Sequence, residues 1–256
     1  MVKFLLAIVL AAMGLTAPAA TEPAHVGVIL MHGKWGNPPG PLAGVFKDRG
    51  YMVVSPYMPW GRTGNYSKSY VAALEQIHQT VLELRAKGAR VVILGGESFG
   101  ANGTLAYATL YDDVDALLLF APGHSPQTWY RRGVTKNAVD QAREMVQQGR
   151  GDERFSFVDL NQGKSDGKSA TAAIYLSYFD PDGLGNMFKS AKFVKRGLPV
   201  LCVASDAEKD FARTQIFDAL PPNPLSVFLQ VDAGHTDAST RAQGEAIQFV
   251  ESVLKQ

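Results

Sequence analysis

Short runs of consecutive apolar residues alternate along this chain with stretches in which apolar positions recur every three or four residues. Six runs read as buried strands: residues 25–31 (HVGVILM), 51–55, 90–94, 115–120, 200–204 and 226–231. They are rich in β-branched residues or leucine, and most are bounded by Gly, Pro or Asp, which is how strands of a sheet covered on both faces are written. Between two of them Tyr70, Leu74, Ile77, Val81 and Leu84 repeat with helical period, and Gly88 supplies a stop. Ala242, Ala246, Phe249, Val250 and Val253 repeat the pattern at the C-terminus. This alternation predicts an α/β protein: a mainly parallel open sheet with helices on both faces.

One interval breaks the rhythm. Far more residues separate Phe120 from Val200 than one crossover needs. The interval holds a helical pattern at 136–148, a polar stretch at 149–168 read as a loop, and an aromatic-rich stretch at 174–179. The expectation is a helical cap inserted over about 123–198 of a single domain spanning 20–256.

Composition narrows the partners. With 25 basic and 24 acidic residues the net charge is +1, so nothing electrostatic argues for nucleic acid or anionic lipid. The partner expected is a small molecule. Lys3, the apolar run at 4–15 and Ala17-Pro18-Ala19 read as an export signal cleaved after Ala19. Twelve apolar residues are too few to span a bilayer, which takes about 20. The single cysteine, Cys202, excludes an intramolecular disulfide and lies too far along the chain for a lipid anchor. The expected location is periplasmic or secreted, with no membrane anchor after cleavage.

The chemistry centres on Gly96-Glu97-Ser98-Phe99-Gly100. A strand pattern, Val91-Val92-Ile93-Leu94, runs directly into it and a helical one, 101–110, runs directly out. A serine on so sharp a turn projects above the sheet, and small residues two before and two after it relieve crowding. The Phe99 backbone N–H would sit at a helix N-terminus, suited to a developing oxyanion. Upstream, His32-Gly33-Lys34-Trp35-Gly36 follows the first strand. The backbone N–H of Lys34 is the second expected donor, and His32 is read as bracing that loop. Of five histidines, His235 follows the last strand, at the sheet edge where catalytic groups of open α/β sheets converge. It is preferred as general base over His124. After the strand at 200–204, three carboxylates compete to orient it: Asp206, Glu208 and Asp210. No H-E-x-x-H motif or His/Cys cluster suggests a metal, and no cofactor is expected.

With the His32-Gly33 loop, the elbow around Ser98, and the order serine, acid, histidine, the chain resembles the α/β-hydrolase fold family over about 25–256. It looks like a compact version lacking the family's first two strands. In that family the acid commonly ends a P-x-L-x-x-x-G-x-x-D run. Laid on Pro199 onward, the run puts Ser205 in the glycine's place and Glu208 in the acid's. The resemblance thus implies a Ser98, Glu208, His235 triad, with Asp206 as second choice, and acyl-transfer hydrolysis. A cofactor-free serine hydrolase of esters or thioesters is the reading that follows. Amide hydrolysis by the same triad, or small-ligand binding without catalysis, are its alternatives.

Overall fold

Val26–Met31 (β1) is buried from end to end, as befits a strand with a layer on each side. The computed structural model describes residues 22–195 and 197–256. After β1 come α1 (Gly40–Lys47), β2 (Met52–Val54), α2 (Tyr70–Ala86), β3 (Val91–Glu97), α3 (Phe99–Leu110) and β4 (Ala116–Phe120). The next stretch holds α4 (Pro126–Arg131), α5 (Lys136–Gln147), β5 (Arg154–Asn161), β6 (Lys164–Thr171), α6 (Ala172–Phe179) and α7 (Met187–Lys192). Then follow β7 (Val200–Ala204), β8 (Val227–Gln230) and the C-terminal helix Gln243–Val253.

Six strands form one parallel sheet in the order β2-β1-β3-β4-β7-β8. The two-residue period of a strand deals its side chains to two cores. Ile29, Met31, Val92, Leu94, Leu117 and Leu119 face α2 and α3 in one. Val28, Leu30, Ile93, Leu118, Phe120 and Val203 meet α1 and the C-terminal helix in the other. The α2 period read from Tyr70 to Leu84 is a buried face. Ser69 caps that helix by accepting from the Ala72 N–H at 3.3 Å, and Gly88 follows it at φ +99°.

The stretch at 149–168 is not a loop. β5 and β6 pair antiparallel from Arg154↔Thr171 to Asn161↔Lys164. They turn through Gln162 and Gly163, both at positive φ, as tight two-residue hairpins require. In β5 only Phe157 and Asp159 are buried, so little in its composition distinguishes it from a polar connection. The aromatic stretch at 174–179 lies within a helix, α6. The segment read as an export signal, 1–19, lies outside the described residues. No helix among the described residues is long and apolar enough to cross a membrane.

Candidate active site

The candidate residues lie beyond the C-terminal ends of β1, β3, β7 and the edge strand β8. Ser98 sits between β3 and α3 at φ 51°, ψ −110°, in a region L-residues rarely adopt. Its N–H donates to the Phe120 carbonyl of β4 at 2.8 Å, which fixes the turn to the sheet. The flanking glycines are sterically compelled. A Cβ on Gly96 would lie 2.4 Å from the Gly100 carbonyl carbon, and one on Gly100 2.6 Å from the Met31 oxygen.

His32 braces the loop after β1. Its Nε2 accepts from the Met58 N–H at 2.9 Å, so Nδ1 carries the proton and donates to the Gly33 carbonyl at 2.8 Å. Burial lowers its pKa, although the Gly33 bond works the other way. The loop is tied further by the Trp35 N–H to the Trp60 carbonyl at 2.9 Å and the Trp60 indole to the His32 carbonyl at 2.9 Å. Among the described residues, neither the Lys34 nor the Phe99 N–H takes part in the loop hydrogen bonds around the site. Both residues line the cavity beside Ser98.

His235 follows β8, and its Nδ1 is hydrogen-bonded to Glu208 Oε1. Glu208 is 6% exposed. Its second oxygen accepts from the Ser205 hydroxyl and from the Ser205 N–H, the latter at 3.2 Å. Burial opposes ionisation of Glu208, but the hydrogen bonds from His235 and Ser205 outweigh it and hold the carboxyl below its ordinary range. The other two acids stand apart. Asp206 accepts from Lys209 at 3.2 Å and Gln230 at 2.8 Å on the exposed side. Asp210 makes no side-chain bond to His235, whose ring is held by Glu208. Ser98 and His235 face a common cavity with no hydrogen bond between them, a contact often loose before substrate binds.

That cavity has two arms. One, of about 400 Å³, runs between Phe99, Pro122, Trp129, Leu160 and Phe211. The other, of about 350 Å³, is bordered by Asn37, Arg62, Asn161, Gln162 and Thr236. Gly123 closes over the serine: a Cβ there would lie 2.5 Å from Ser98 Oγ. His124 also lines the apolar arm, but its ring is stacked on Phe99 at 3.8 Å and its Nε2 donates to the Tyr178 carbonyl at 2.8 Å. Burial, then the nearby Lys34 charge, push its pKa well below the usual histidine value. Glu97, beside the serine, takes the Ser239 hydroxyl, and burial raises its pKa. Among the described residues no group of three or more His, Cys, Asp or Glu side chains is placed to hold a metal ion.

Sequence reasoning missed Asp159. It is fully buried and ion-paired to Lys34 at 2.5 Å. Its place in a polar hairpin carried no signal, since any acidic residue there is by default a solvated charge.

No family model matches the chain, and no curated protein matches it either. Solved structures do. DcsB, in complex with its substrate analogue, shares 18% identity over 93% of each chain, with a TM-score of 0.66. The monoacylglycerol lipase of Paleococcus ferrophilus shares 17% over 90% of this chain and 96% of its own, with a TM-score of 0.62. A structure from the metagenome-derived lipolytic enzymes LipS and LipT shares 12% over 91% and 96%, with a TM-score of 0.61. The chain has the α/β-hydrolase fold.

Proposed function

We propose that this protein is a serine hydrolase that cleaves an ester or thioester through an acyl-enzyme. The observation that carries the reading is the strained Ser98 turn opening into the same cavity as a His235 ring held by buried Glu208. With Nδ1–H donating to the carboxylate, His235 presents Nε2 as an acceptor. Ser98 Oγ attacks the carbonyl carbon while Nε2 takes its proton. The negative charge that develops on the carbonyl oxygen is met by the Lys34 and Phe99 N–H groups, fixed before reaction begins. Collapse of the tetrahedral intermediate breaks the bond to the leaving oxygen or sulfur, which receives the proton from His235. Water then repeats the sequence on the acyl-enzyme and releases the acid and free Ser98.

Glu208 keeps the imidazole in the productive tautomer and stabilises the imidazolium. The hydrogen bonds that hold its carboxyl ionised favour this role. The Phe99, Pro122, Trp129, Leu160 and Phe211 side of the cavity suits an apolar portion of the substrate. Lipolytic enzymes among the proteins of similar fold support ester chemistry over other uses of it. The export signal read at 1–19 supports an activity outside the cytoplasm. The test is a series of p-nitrophenyl esters of increasing acyl length, run beside Ser98→Ala. The expected result is turnover that depends on chain length and falls by about 10³-fold or more in the variant. A folded Ser98→Ala protein with normal turnover would sink the assignment.

A further inference from the structure

The loop that carries the Lys34 N–H is tied through its backbone on either side, by His32 and by the Trp35 N–H, and the Gly36 N–H returns to the Gly33 carbonyl at 3.1 Å. Its side chains add a second tie, to a distant hairpin. Lys34 Nζ donates to Asp159 Oδ1 at 2.5 Å and to the Leu160 carbonyl at 3.0 Å. The next residue of the loop converges on the same carboxylate, the Trp35 indole N–H reaching Asp159 Oδ2 at 3.2 Å. Tyr66 donates to that oxygen at 2.7 Å, and the Leu160 N–H to the other at 2.7 Å. Asn161, two residues along β5, reaches the Lys34 carbonyl at 3.4 Å.

Among the described residues, neither Lys34 nor Asp159 has a second ion-pair partner. The ammonium is packed among the rings of Trp129, Phe179 and Phe99 at 4.9, 5.0 and 5.4 Å. Burial lowers the Lys34 pKa, against the pull of Asp159. A desolvated pair of this kind has no competing partner in water, so loss of one member forces the other to move. Released from Asp159, the Lys34 ammonium either loses its proton or takes solvation from the cavity that its residue already lines, and the bond from Asn161 to the Lys34 carbonyl loses the support of the ion pair beside it.

We propose that Asp159 is a positioning residue for the reaction: through Lys34 and Trp35 it clamps the β5–β6 hairpin to the oxyanion loop and aims the Lys34 N–H. This inference rests on Ser98 being the nucleophile and on the Lys34 N–H being an oxyanion donor. Loss of a single such donor costs about 10²–10³ in kcat, and misplacement by an ångström costs a comparable factor of about 10².

The test is Asp159→Asn, which keeps the shape of the side chain and removes its charge. In the folded variant kcat on a short p-nitrophenyl ester should fall about 10²-fold with KM within about threefold. Affinity for an arylboronic acid, whose tetrahedral adduct on Ser98 occupies the oxyanion site, should fall in parallel with kcat. A variant that merely loosened the hairpin would not link these two quantities. Glu153→Gln, on an exposed residue just before the same hairpin that pairs with Arg150, should leave all three measurements unchanged. If Asp159→Asn does not fold, Lys34→Met/Asp159→Leu removes both charges at once and should show the same paired loss. Wild-type kcat and boronate affinity in either folded variant would overturn the proposal while Ser98-dependent turnover stood. Turnover indifferent to Ser98→Ala would instead remove the hydrolase reading on which it rests.

Discussion

Glu208 and Asp206 lie two residues apart, yet the fold gives them different surroundings. Glu208 is buried and divides its two oxygens between His235 and Ser205, whereas Asp206 holds a lysine and a glutamine at the surface. Glu208→Gln should therefore cost on the order of 10⁴ in kcat through loss of the working tautomer. Asp206→Asn should be mildly affected, and Asp210→Asn should stay close to wild type; steady-state kinetics on one ester separate the three. Gly123→Ala is a second prediction at this scale. A methyl group 2.5 Å from Ser98 Oγ cannot coexist with an attacking nucleophile, so probe labelling of Ser98 should be slowed by on the order of 10²-fold, read as a labelling rate. The positions of Ser98, His235 and the acidic loop after recognisable strands were legible in the sequence, whereas the choice of Glu208 among three carboxylates came from the family resemblance alone. Asp159 was not legible, because its partner Lys34 lies 125 residues away. Only the folded chain makes that carboxylate different from its solvated neighbours.

Elements were legible to the extent that burial wrote itself into their period. The six parallel strands and α2 carry continuous or helical apolar patterns, and their positions agree with the reading to within a few residues. The β5–β6 hairpin escaped because it turns one face to solvent and is rich in polar residues. The strand-to-helix junction of β3 and α3 shows the opposite case, in which a short motif encodes a packing constraint. Gly96→Ala would press a methyl group into the backbone of Gly100, which has no rotamer by which to yield. The expected cost lies toward the upper end of about 1–3 kcal/mol. For a chain of this length that corresponds to a fall in Tm of about 5–10 °C, measurable by thermal denaturation.

Two predictions concern the whole molecule. His32 and His124 both have pKa values lowered by burial. The unfolded chain takes up protons at these rings near pH 6.5, while the folded chain takes them up only at lower pH. Unfolded protein thus binds more protons as the pH drops through that range, and stability falls with it. Tm should decline between pH 7.5 and pH 5.5, and His124→Asn should narrow the decline; a Tm indifferent to pH would contradict the burial of uncharged rings. The second follows from Lys3, the apolar run and Ala17-Pro18-Ala19. Mass spectrometry of exported protein should find Ala20 as its first residue, whereas a chain retaining Met1 would refute the leader. The central claim, that Ser98 is an activated nucleophile, is tested most directly by a fluorophosphonate probe. The wild-type protein should be labelled once per chain, at Ser98, and Ser98→Ala not at all. A folded wild-type protein that resists the probe, or one labelled equally well without Ser98, would contradict it.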